Sequence, residues 1–179
     1  MSQPTAPQDA KLVIGVFTND QQLFDPVIER LTKLFGEIDL MSPWIPFDYT
    51  SYYEREMGTG LMRRMTAFKT LIDQSSLSAI KLKTNAIECD LSKGANRKIN
   101  IDPGYMLRER FVLATGKNFA HRIYIGDHIY ADLTLIFQKG LFQSLPWTYP
   151  DYKAIDVQSF LYRIRNKFIQ DITKSEIKL

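Results

Sequence analysis

Residues 12–17 form a run of apolar side chains with no polar face, which is typical of a central strand covered on both sides. Apolar residues then recur at three- and four-residue spacing over 23–35, and Gly36 follows them, so this segment predicts an amphipathic helix. Pro26 falls inside the pattern, where it would remove a hydrogen bond and clash with the preceding turn. The helix therefore either kinks at Pro26 or begins late, with Asp25 as its cap.

The middle of the chain continues to alternate between strands and helices. Asp102-Pro103-Gly104 is predicted to form a turn that starts a helix, which would end at Gly116. A further helical pattern stops at Gly94. The predicted strands are 12–17, 37–44, 61–72 and 97–101, and the predicted helices are 23–35, 77–91 and 105–115.

Residues 121–145 carry the clearest β pattern in the chain. Gly126-Asp127 and Lys139-Gly140 separate three runs of alternating residues, as hairpin turns would, so an antiparallel meander is predicted. Asp156 is placed to cap a final helix whose apolar positions continue to Phe168. We expect this helix to close the sheet.

Together these elements predict an α/β (α+β) domain on a mixed, largely antiparallel sheet. Its most concrete form is a ferredoxin-like βαββαβ core extended by the C-terminal β-meander and the closing helix. A doubly wound parallel sheet is the less favoured alternative. We expect one domain over residues 11–172, with flexible tails at 1–10 and 173–179, because no repeat or linker interrupts that span.

Composition limits the partners and the location. The 179 residues are 45% hydrophobic and 24% charged, as in ordinary globular proteins, and the formal net charge of +3 is mild for a dedicated nucleic-acid binder. No apolar run approaches the roughly 18 residues of a membrane span, and residues 1–10 lack a secretory pattern, so no membrane association is expected. Cys89 is the single cysteine, which excludes an internal disulfide and fits a cytoplasmic protein.

The meander brings titratable groups together. If Gly126-Asp127 is a two-residue turn, His121 lies directly across from Asp132; if the loop includes His128, Arg122 takes that place. A carboxylate beside an imidazole orients the ring and raises its basicity, so His121 is the predicted acid or base and Asp132 its orienting group. A purely structural cross-strand pair, contributing about 0.2–1 kcal/mol, would give the same pattern.

Two predicted loops, 47–56 and 147–152, are unusually rich in aromatic residues, and we call them the aromatic loops. Tyrosine and tryptophan combine an apolar face with a polar edge, so they suit the wall of a ligand site, although they also pack loops onto sheets. Lys117 and Asp102 lie where strands are predicted to end, a usual place for binding groups, and a helix start near Gly104 would hold an anion. The candidate wall residues are Tyr49, Tyr53, Trp147 and Tyr149.

Several named chemistries lack their motifs. His121 and His128 are the only histidines, and no metal-type spacing occurs, so no metal site is predicted. Phe111 occupies the position where a phosphate-binding Walker loop needs glycine, and neither a hydrolase elbow nor a dinucleotide fingerprint is present. The residues therefore name no reaction and no cofactor, and whether the protein is an enzyme stays open.

Five strings of residues, together with Tyr53, carry a family resemblance. The most specific is Leu145-Pro146-Trp147-Thr148-Tyr149-Pro150-Asp151-Tyr152. The others are Phe47-Asp48-Tyr49-Thr50, Glu56-Met57-Gly58, Asn100-Ile101-Asp102-Pro103-Gly104-Tyr105 and His121-Arg122-Ile123-Tyr124. With these strings the chain resembles an uncharacterised bacterial family, domain of unknown function 4416, over about residues 12–168. The resemblance implies a small intracellular bacterial protein, and it brings no established reaction or catalytic residues.

The favoured function is the binding, and in a catalytic version the processing, of a small anionic ligand that is a phosphate or resembles a nucleotide. The ligand would lie between the polar sheet face and the aromatic loops, with Arg122 and Lys117 contacting the anion and Asp102 nearby. One alternative is a noncatalytic module that binds RNA through exposed aromatic and scattered basic residues. Another is a protein-interaction module, such as a homodimer, whose interface is the aromatic loops.

Overall fold

The computed structural model describes residues 1–92, 94 and 96–176. Within them the chain forms nine strands and five α-helices, with single 3-10 turns before the first and third helices. The strands are β1 (Ala10–Thr18), β2 (Ile38–Met41), β3 (Ile45–Pro46), β4 (Met62–Ile72), β5 (Ile99–Met106), β6 (Arg110–Thr115), β7 (Arg122–Gly126), β8 (Ile129–Gln138) and β9 (Leu141–Ser144). The helices are α1 (Phe24–Phe35), α2 (Glu54–Met57), α3 (Leu77–Asp90), α4 (Pro150–Lys153) and α5 (Ile155–Glu176).

These strands belong to one open sheet, and every pairing between described strands is antiparallel. The main path runs β2-β4-β1-β5-β6-β8-β7, while β3 pairs with β4 and β9 pairs with β8. The predicted α+β class and antiparallel sheet are confirmed, and the parallel alternative is wrong. The order β2-β4-β1-β5, with α1 after β1 and α3 after β4, is the one a βαββαβ core would have; the ferredoxin-like description stays an interpretation.

The central strand β1 is buried on both faces, as its apolar run predicts. On one face Leu12, Ile14 and Val16 pack against side chains of α1 and α3. On the other face Val13 packs with residues of α5, including Leu161. The sheet is therefore the middle of three layers, and α5 closes its second face.

Two helix boundaries differ from the expected ones. α1 begins at Phe24, which places Pro26 in the first turn, where its missing N–H breaks no helical hydrogen bond. α5 extends to Glu176, so residues 173–176 of the predicted C-terminal tail are helical, and 177–179 lie outside the described residues. No helix in the described part of the chain is both long enough and apolar enough to span a bilayer.

The helix predicted at 105–115 is wrong. This segment forms the end of β5 and all of β6, joined by a turn in which the Leu107 N–H donates to the Arg110 carbonyl at 2.9 Å. Asp102-Pro103-Gly104 lies inside β5 rather than in a turn, so no helix starts there to hold an anion. Residues 111–114 are buried, and a short continuous apolar run fits a strand or a helix equally well, which explains the error.

A close crossing of β5 and β6 opens the sheet. The two strands pair only over 104–106 and 111–113, and they diverge beyond these residues. A Cβ on Gly104 would lie 2.4 Å from the Val112 carbonyl oxygen, so only glycine permits this approach. A gap between the N-terminal half of β5 and the C-terminal half of β6 therefore begins at Gly104.

In the diverged part, β5 finds hydrogen-bond partners on α3. The Ile101 N–H donates to Glu88 Oε1 at 2.5 Å, and the Ile101 carbonyl accepts from Lys81 Nζ at 2.8 Å. Pro103, two residues further on, has its nitrogen on the same side of the strand, where it has no ladder bond to lose. Side chains of α3 thus replace the missing neighbour strand, and the gap stays open.

The β7–β8 hairpin turns one residue later than Gly126-Asp127. Asp127 and His128 form its two-residue turn, with φ of 52° and 60°, and the ladder is irregular just before it. Arg122 is therefore the residue opposite Asp132, which is the second of the two registers considered. The predicted turn between β8 and β9 is confirmed.

Candidate ligand-binding site

A cavity of about 920 Å³ occupies the gap between β5 and β6. Its lining comes from β4 to β8, from one face of α3, and from both aromatic loops. Pockets for small ligands usually measure about 300–1,000 Å³, so the cavity has the size of a ligand site. The split in the sheet therefore creates a hollow that an unbroken sheet would not contain.

Seven of the nine predicted site residues line this cavity. They are Tyr49, Tyr53, Asp102, Lys117, Arg122, Asp132 and Tyr149. His121 and Trp147 are not among the lining residues. The fold thus brings the polar end of the meander and the tyrosines of both aromatic loops, which are far apart in the sequence, around one space.

Arg122 connects three parts of the cavity wall. Its Nε donates to Asp132 Oδ2 at 2.9 Å, its Nη1 donates to the Lys117 carbonyl at 2.9 Å, and its Nη2 donates to the Tyr149 hydroxyl. These bonds use three of the five N–H groups of the guanidinium. Arg122 therefore positions a carboxylate, a strand end and an aromatic loop, and the predicted anion contact rests on its remaining N–H groups.

His121 lies behind Asp132. Its Nε2 is 3.2 Å from Asp132 Oδ2, and its ring stacks on Trp147 with the centroids 4.9 Å apart and the planes at 10°. The Trp147 indole N–H donates to the Leu133 carbonyl at 2.8 Å. The proximity of His121 and Asp132 suggested by the sequence is present, and Asp132 is the member of the pair that lines the cavity.

Lys117 lies just past the end of β6 and is exposed. Its Nζ is 3.0 Å from the Tyr52 hydroxyl oxygen and 4.6 Å from the centre of the same ring. The hydrogen bond from Lys117 lowers the pKa of Tyr52. Among the described residues, no carboxylate forms an ion pair with Lys117. We call this exposed end of the cavity the mouth.

Three buried lining residues that were not proposed from the sequence have unpaired polar atoms: Arg63 of β4, Asn100 of β5 and Tyr152 of α4. They are 3%, 4% and 2% exposed, and we call them the floor. Arg63 Nε, Asn100 Nδ2 and the Tyr152 hydroxyl have no hydrogen-bond partner among the described residues. Buried polar groups are nearly always paired, so three unpaired atoms on residues that line one cavity are unusual. Asn100 and Tyr152 do belong to the strings that carry the family resemblance.

Burial also fixes the protonation of the tyrosines in the lining. Loss of solvent around Tyr152, Tyr53 and Tyr149 raises the pKa of each phenol above its ordinary value. All three therefore keep their hydroxyl protons at neutral pH.

A bidentate ion pair links Glu56 of the first aromatic loop to Arg97, which lies two residues before β5. Arg97 Nε donates to Glu56 Oε1 at 2.7 Å, and Arg97 Nη2 donates to Glu56 Oε2 at 2.8 Å. The same guanidinium donates through Nη1 to Asn100 Oδ1 at 2.9 Å. These bonds from Arg97 lower the pKa of Glu56. The loop wall and the floor are therefore held by one arginine.

The lining offers hydrogen-bond donors, one exposed ammonium group, aromatic faces and a carboxylate, Asp132, that has a histidine behind it. Within the described residues, no group of three or more His, Cys, Asp or Glu side chains is arranged to hold a metal ion.

The fold and the site define an α+β domain whose split antiparallel sheet encloses a polar cavity walled by tyrosines. The sequence matches the family described as Domain of unknown function (DUF4416) over residues 8–168, and the chain belongs to that family. The match confirms the resemblance drawn from the sequence. No curated protein and no solved structure matches the chain.

Proposed function

We propose that this domain binds a small anionic ligand, a phosphate or a nucleotide-like molecule, in the cavity between β5 and β6. The observation that carries the proposal is the position of Lys117, an ammonium group without a carboxylate partner, at the mouth of a tyrosine-walled cavity. The residues proposed from the sequence as anion contacts and walls support it, because most of them line the same space.

The balance of charge favours an anion at the mouth. Five cationic and four carboxylate side chains line the cavity. Four of the cations have carboxylate partners there: Arg63 with Asp151, Lys81 with Asp102 at 3.7 Å, Arg97 with Glu88 at 3.6 Å, and Arg122 with Asp132 at 2.9 Å. Lys117 is the fifth. It forms no ion pair within the described part of the chain, and the nearby carboxylate of Glu56, on which its charge acts, is itself paired with Arg97. A ligand anion at the mouth would supply the missing partner.

The walls favour a ligand that also has a flat ring. Tyr49 and Tyr53 come from one aromatic loop and Tyr149 from the other, and all three line the cavity. Aromatic side chains pack well against planar rings, and they fix orientation through their hydroxyl groups. A phosphorylated compound with a ring therefore fits the lining better than inorganic phosphate alone.

Catalysis is the second part of the proposal. The sequence predicts His121 as the acid or base and Asp132 as its orienting group. Because Asp132 lines the cavity and His121 does not, we propose instead that Asp132, which Arg122 fixes at 2.9 Å, exchanges the proton with the ligand. His121, 3.2 Å behind it, would relay that proton. The catalytic roles of His121 and Asp132 stay predictions, and binding does not depend on them.

The test is a thermal-shift screen of the full chain against inorganic phosphate, ribose 5-phosphate and nucleoside monophosphates. A ligand at 100 times its Kd stabilises the native state by about 2.7 kcal/mol, so a true ligand raises the Tm measurably. We expect Lys117→Met to reduce the shift strongly and Lys139→Met, an equal charge change at the β8–β9 turn, to leave it unchanged. A screen in which no phosphate compound raises the Tm, or in which both variants weaken the shift equally, would refute the proposal.

The RNA and homodimer alternatives stay predictions as well. RNA binding would be strongly salt-dependent and would weaken to a similar degree in both lysine variants, because scattered cations contribute to it together. If the chain forms a homodimer through the aromatic loops, Trp147→Ala should dissociate it and lower the molecular mass measured in solution. If the chain is a monomer that binds a ligand, the same change should leave the measured mass at the monomer value.

A further inference from the structure

We propose that Asp102 of β5, with Lys81 and Asn85 of α3, binds neighbouring hydroxyl groups of the ligand's sugar, while the phosphate of the same ligand lies at the mouth near Lys117. All three residues line the cavity, and we call them the α3–β5 wall. This inference rests on the proposed function and narrows the ligand class. The class becomes phosphorylated sugars, free or within a nucleotide, that keep their vicinal hydroxyl groups.

Asp102 presents an accessible carboxylate to the cavity. Its side chain is 27% exposed although β5 lies in the middle of the sheet, and it is one of the lining residues. Its ion-pair partner, Lys81 Nζ, is 3.7 Å away, and the carboxylate accepts no hydrogen bond from any described residue. The two oxygens of an ionised carboxylate offer about four acceptor positions. Asp102 therefore has accepting capacity that a ligand can use.

The carboxylate of Asp102 also lies within electrostatic range of both aromatic loops. Burial is the main cause of the raised pKa of Tyr53 in one loop and of Tyr149 in the other, and the negative charge of Asp102 raises both further. A sugar ring that is hydrogen-bonded to Asp102 would thus have tyrosine side chains from both loops beside it. Such rings offer apolar faces for packing and hydroxyl groups for further hydrogen bonds.

One face of α3 is turned toward the same stretch of β5. Lys81 and Glu88 both reach the Ile101 backbone, at 2.8 Å to the carbonyl and 2.5 Å to the N–H. Asn85 lies between them on this face, four residues after Lys81 and three before Glu88. It is half-buried, and its amide forms no hydrogen bond with the described residues. The amide therefore adds a donor and an acceptor to the wall beside Asp102.

The α3–β5 wall matches hydroxyl groups better than charged ones. A hydroxyl both donates and accepts, so it can donate to Asp102 and accept from Lys81 or Asn85 at the same time. Two neighbouring hydroxyls on a ring can use both oxygens of the carboxylate. A phosphate would instead meet the carboxylates of Asp102 and Glu88, and an amine would meet Lys81, so each would be close to a like charge.

The strand geometry sets the wall and the mouth at a suitable separation. The β5–β6 ladder pairs Gly104 with Leu113, so its continuation across the gap would place Asp102 opposite Thr115. Lys117 follows two residues later, which is about 7 Å along the strand direction. This spacing is comparable to the length of a pentose phosphate. One such molecule can therefore place its phosphate near Lys117 and its hydroxyl groups near Asp102.

The test compares phosphates that differ only in their sugar hydroxyl groups. Adenosine and uridine 5′-monophosphates are titrated calorimetrically into the full chain beside their 2′,3′-dideoxy analogues, and ribose 5-phosphate beside 2-deoxyribose 5-phosphate. In at least one pair the compound that lacks hydroxyls should bind about tenfold or more weakly, the loss expected for a hydrogen bond to a charged group. A preference seen only in the nucleotide pairs, or only in the free sugar pair, identifies which source of the sugar the cavity takes.

Two variants test the wall itself. Asn85→Ala should weaken the hydroxylated compound about fivefold, as expected for one neutral hydrogen bond, and leave its deoxy analogue unchanged. Asp102→Asn should reduce the preference for the hydroxylated compound to about threefold or less, because the acceptor loses its charge. Asn166→Ala, also half-buried in a helix but outside the lining, and Asp25→Asn, exposed on α1, are the matched controls and should retain the full preference.

The outcomes separate this inference from the proposed function. Equal affinity within every pair, or an Asn85→Ala variant that weakens both members of a pair equally, would overturn the inference about the wall. If phosphate binding still depended on Lys117 in that case, the proposed function would survive. If none of these phosphates bound, both would fail. Asn85→Ala decides the question alone if Asp102→Asn does not fold, because alanine is compatible with the helix at that position.

Discussion

Replacing Tyr152 by Phe should stabilise the unliganded protein. The side chain is 2% exposed, and its hydroxyl has no hydrogen-bond partner among the described residues. Its ring packs against Phe111, with the centroids 5.6 Å apart, and belongs to the core between β1 and α5. Phenylalanine keeps that ring and its contacts and removes only the unpaired oxygen.

The size of the effect follows from the cost of burying a polar group. A buried hydroxyl without a partner costs about 1–3 kcal/mol relative to one that is hydrogen-bonded to water. Removing the oxygen also forfeits a few dispersion contacts, which reduces the gain. We therefore expect an increase of about 1 kcal/mol in the free energy of unfolding. For a domain of 150–250 residues this corresponds to a Tm increase of about 2–4 °C.

The assay is urea unfolding of the unliganded chain at pH 7, followed by a thermal melt. Tyr162→Phe is the control, because Tyr162 is 43% exposed and loses a hydroxyl that water already solvates. The control should change neither midpoint, whereas Tyr152→Phe should raise both with an unchanged urea slope. If Tyr152→Phe lowered the free energy of unfolding by 1 kcal/mol or more, the hydroxyl would be well paired in solution. That result would refute the reasoning that it is buried without a partner.

Two other changes test the architecture around the cavity. Gly104→Ala should lower the free energy of unfolding by about 3 kcal/mol, because its Cβ would lie 2.4 Å from the Val112 carbonyl oxygen. Gly116→Ala is the control: its Cβ would meet nothing within 4 Å, so it should be nearly neutral in the same urea titration. Arg97 lowers the pKa of Glu56 below its ordinary value of 4.5, so the stabilisation from this carboxylate is present at neutral pH and is lost as the pH falls through the lowered pKa. Glu56→Gln should therefore lower the Tm at pH 7 by an amount equivalent to about 1 kcal/mol. The difference in Tm between this variant and the unmodified chain should shrink below about pH 4.5. A difference in Tm that stays constant from pH 7 to pH 3 would contradict the ion pair.

Local patterns were sufficient for most of the architecture. The period-two alternation and the two turns of the meander predicted β7, β8 and β9, and the helical spacing of the last segment predicted α5 as the closing layer. Both interpretations use periodicity that depends on which face is buried. The same reasoning failed at 105–115, because β6 is covered on both sides and its apolar run carries no period at all.

The candidate site could also be predicted only in part, and the reason differs from the one at residues 105–115. Tyr49, Lys117 and Arg122 were accessible to sequence reasoning because loops rich in tyrosine and polar strand ends are visible locally. The floor was not, since Arg63 and Tyr152 are 89 positions apart by number and meet only through the β1–β4 pairing and the packing of α4. Arg63 stands next to Arg64, so the local pattern does not indicate that one of the two is buried, and only tertiary structure shows that Arg63 is 3% exposed.

One structural cause links the fold to the site. The close approach at Gly104 separates β5 from β6, and this separation exposes strand backbone that Lys81 and Glu88 must satisfy. The same separation leaves room for the cavity that Arg63, Asn100 and Tyr152 line. Each unpaired donor costs about 1–3 kcal/mol, against a total stability of about 5–15 kcal/mol for a typical domain. Replacing these groups by apolar side chains of similar shape would remove that cost, so the unpaired floor atoms lower the stability of the domain.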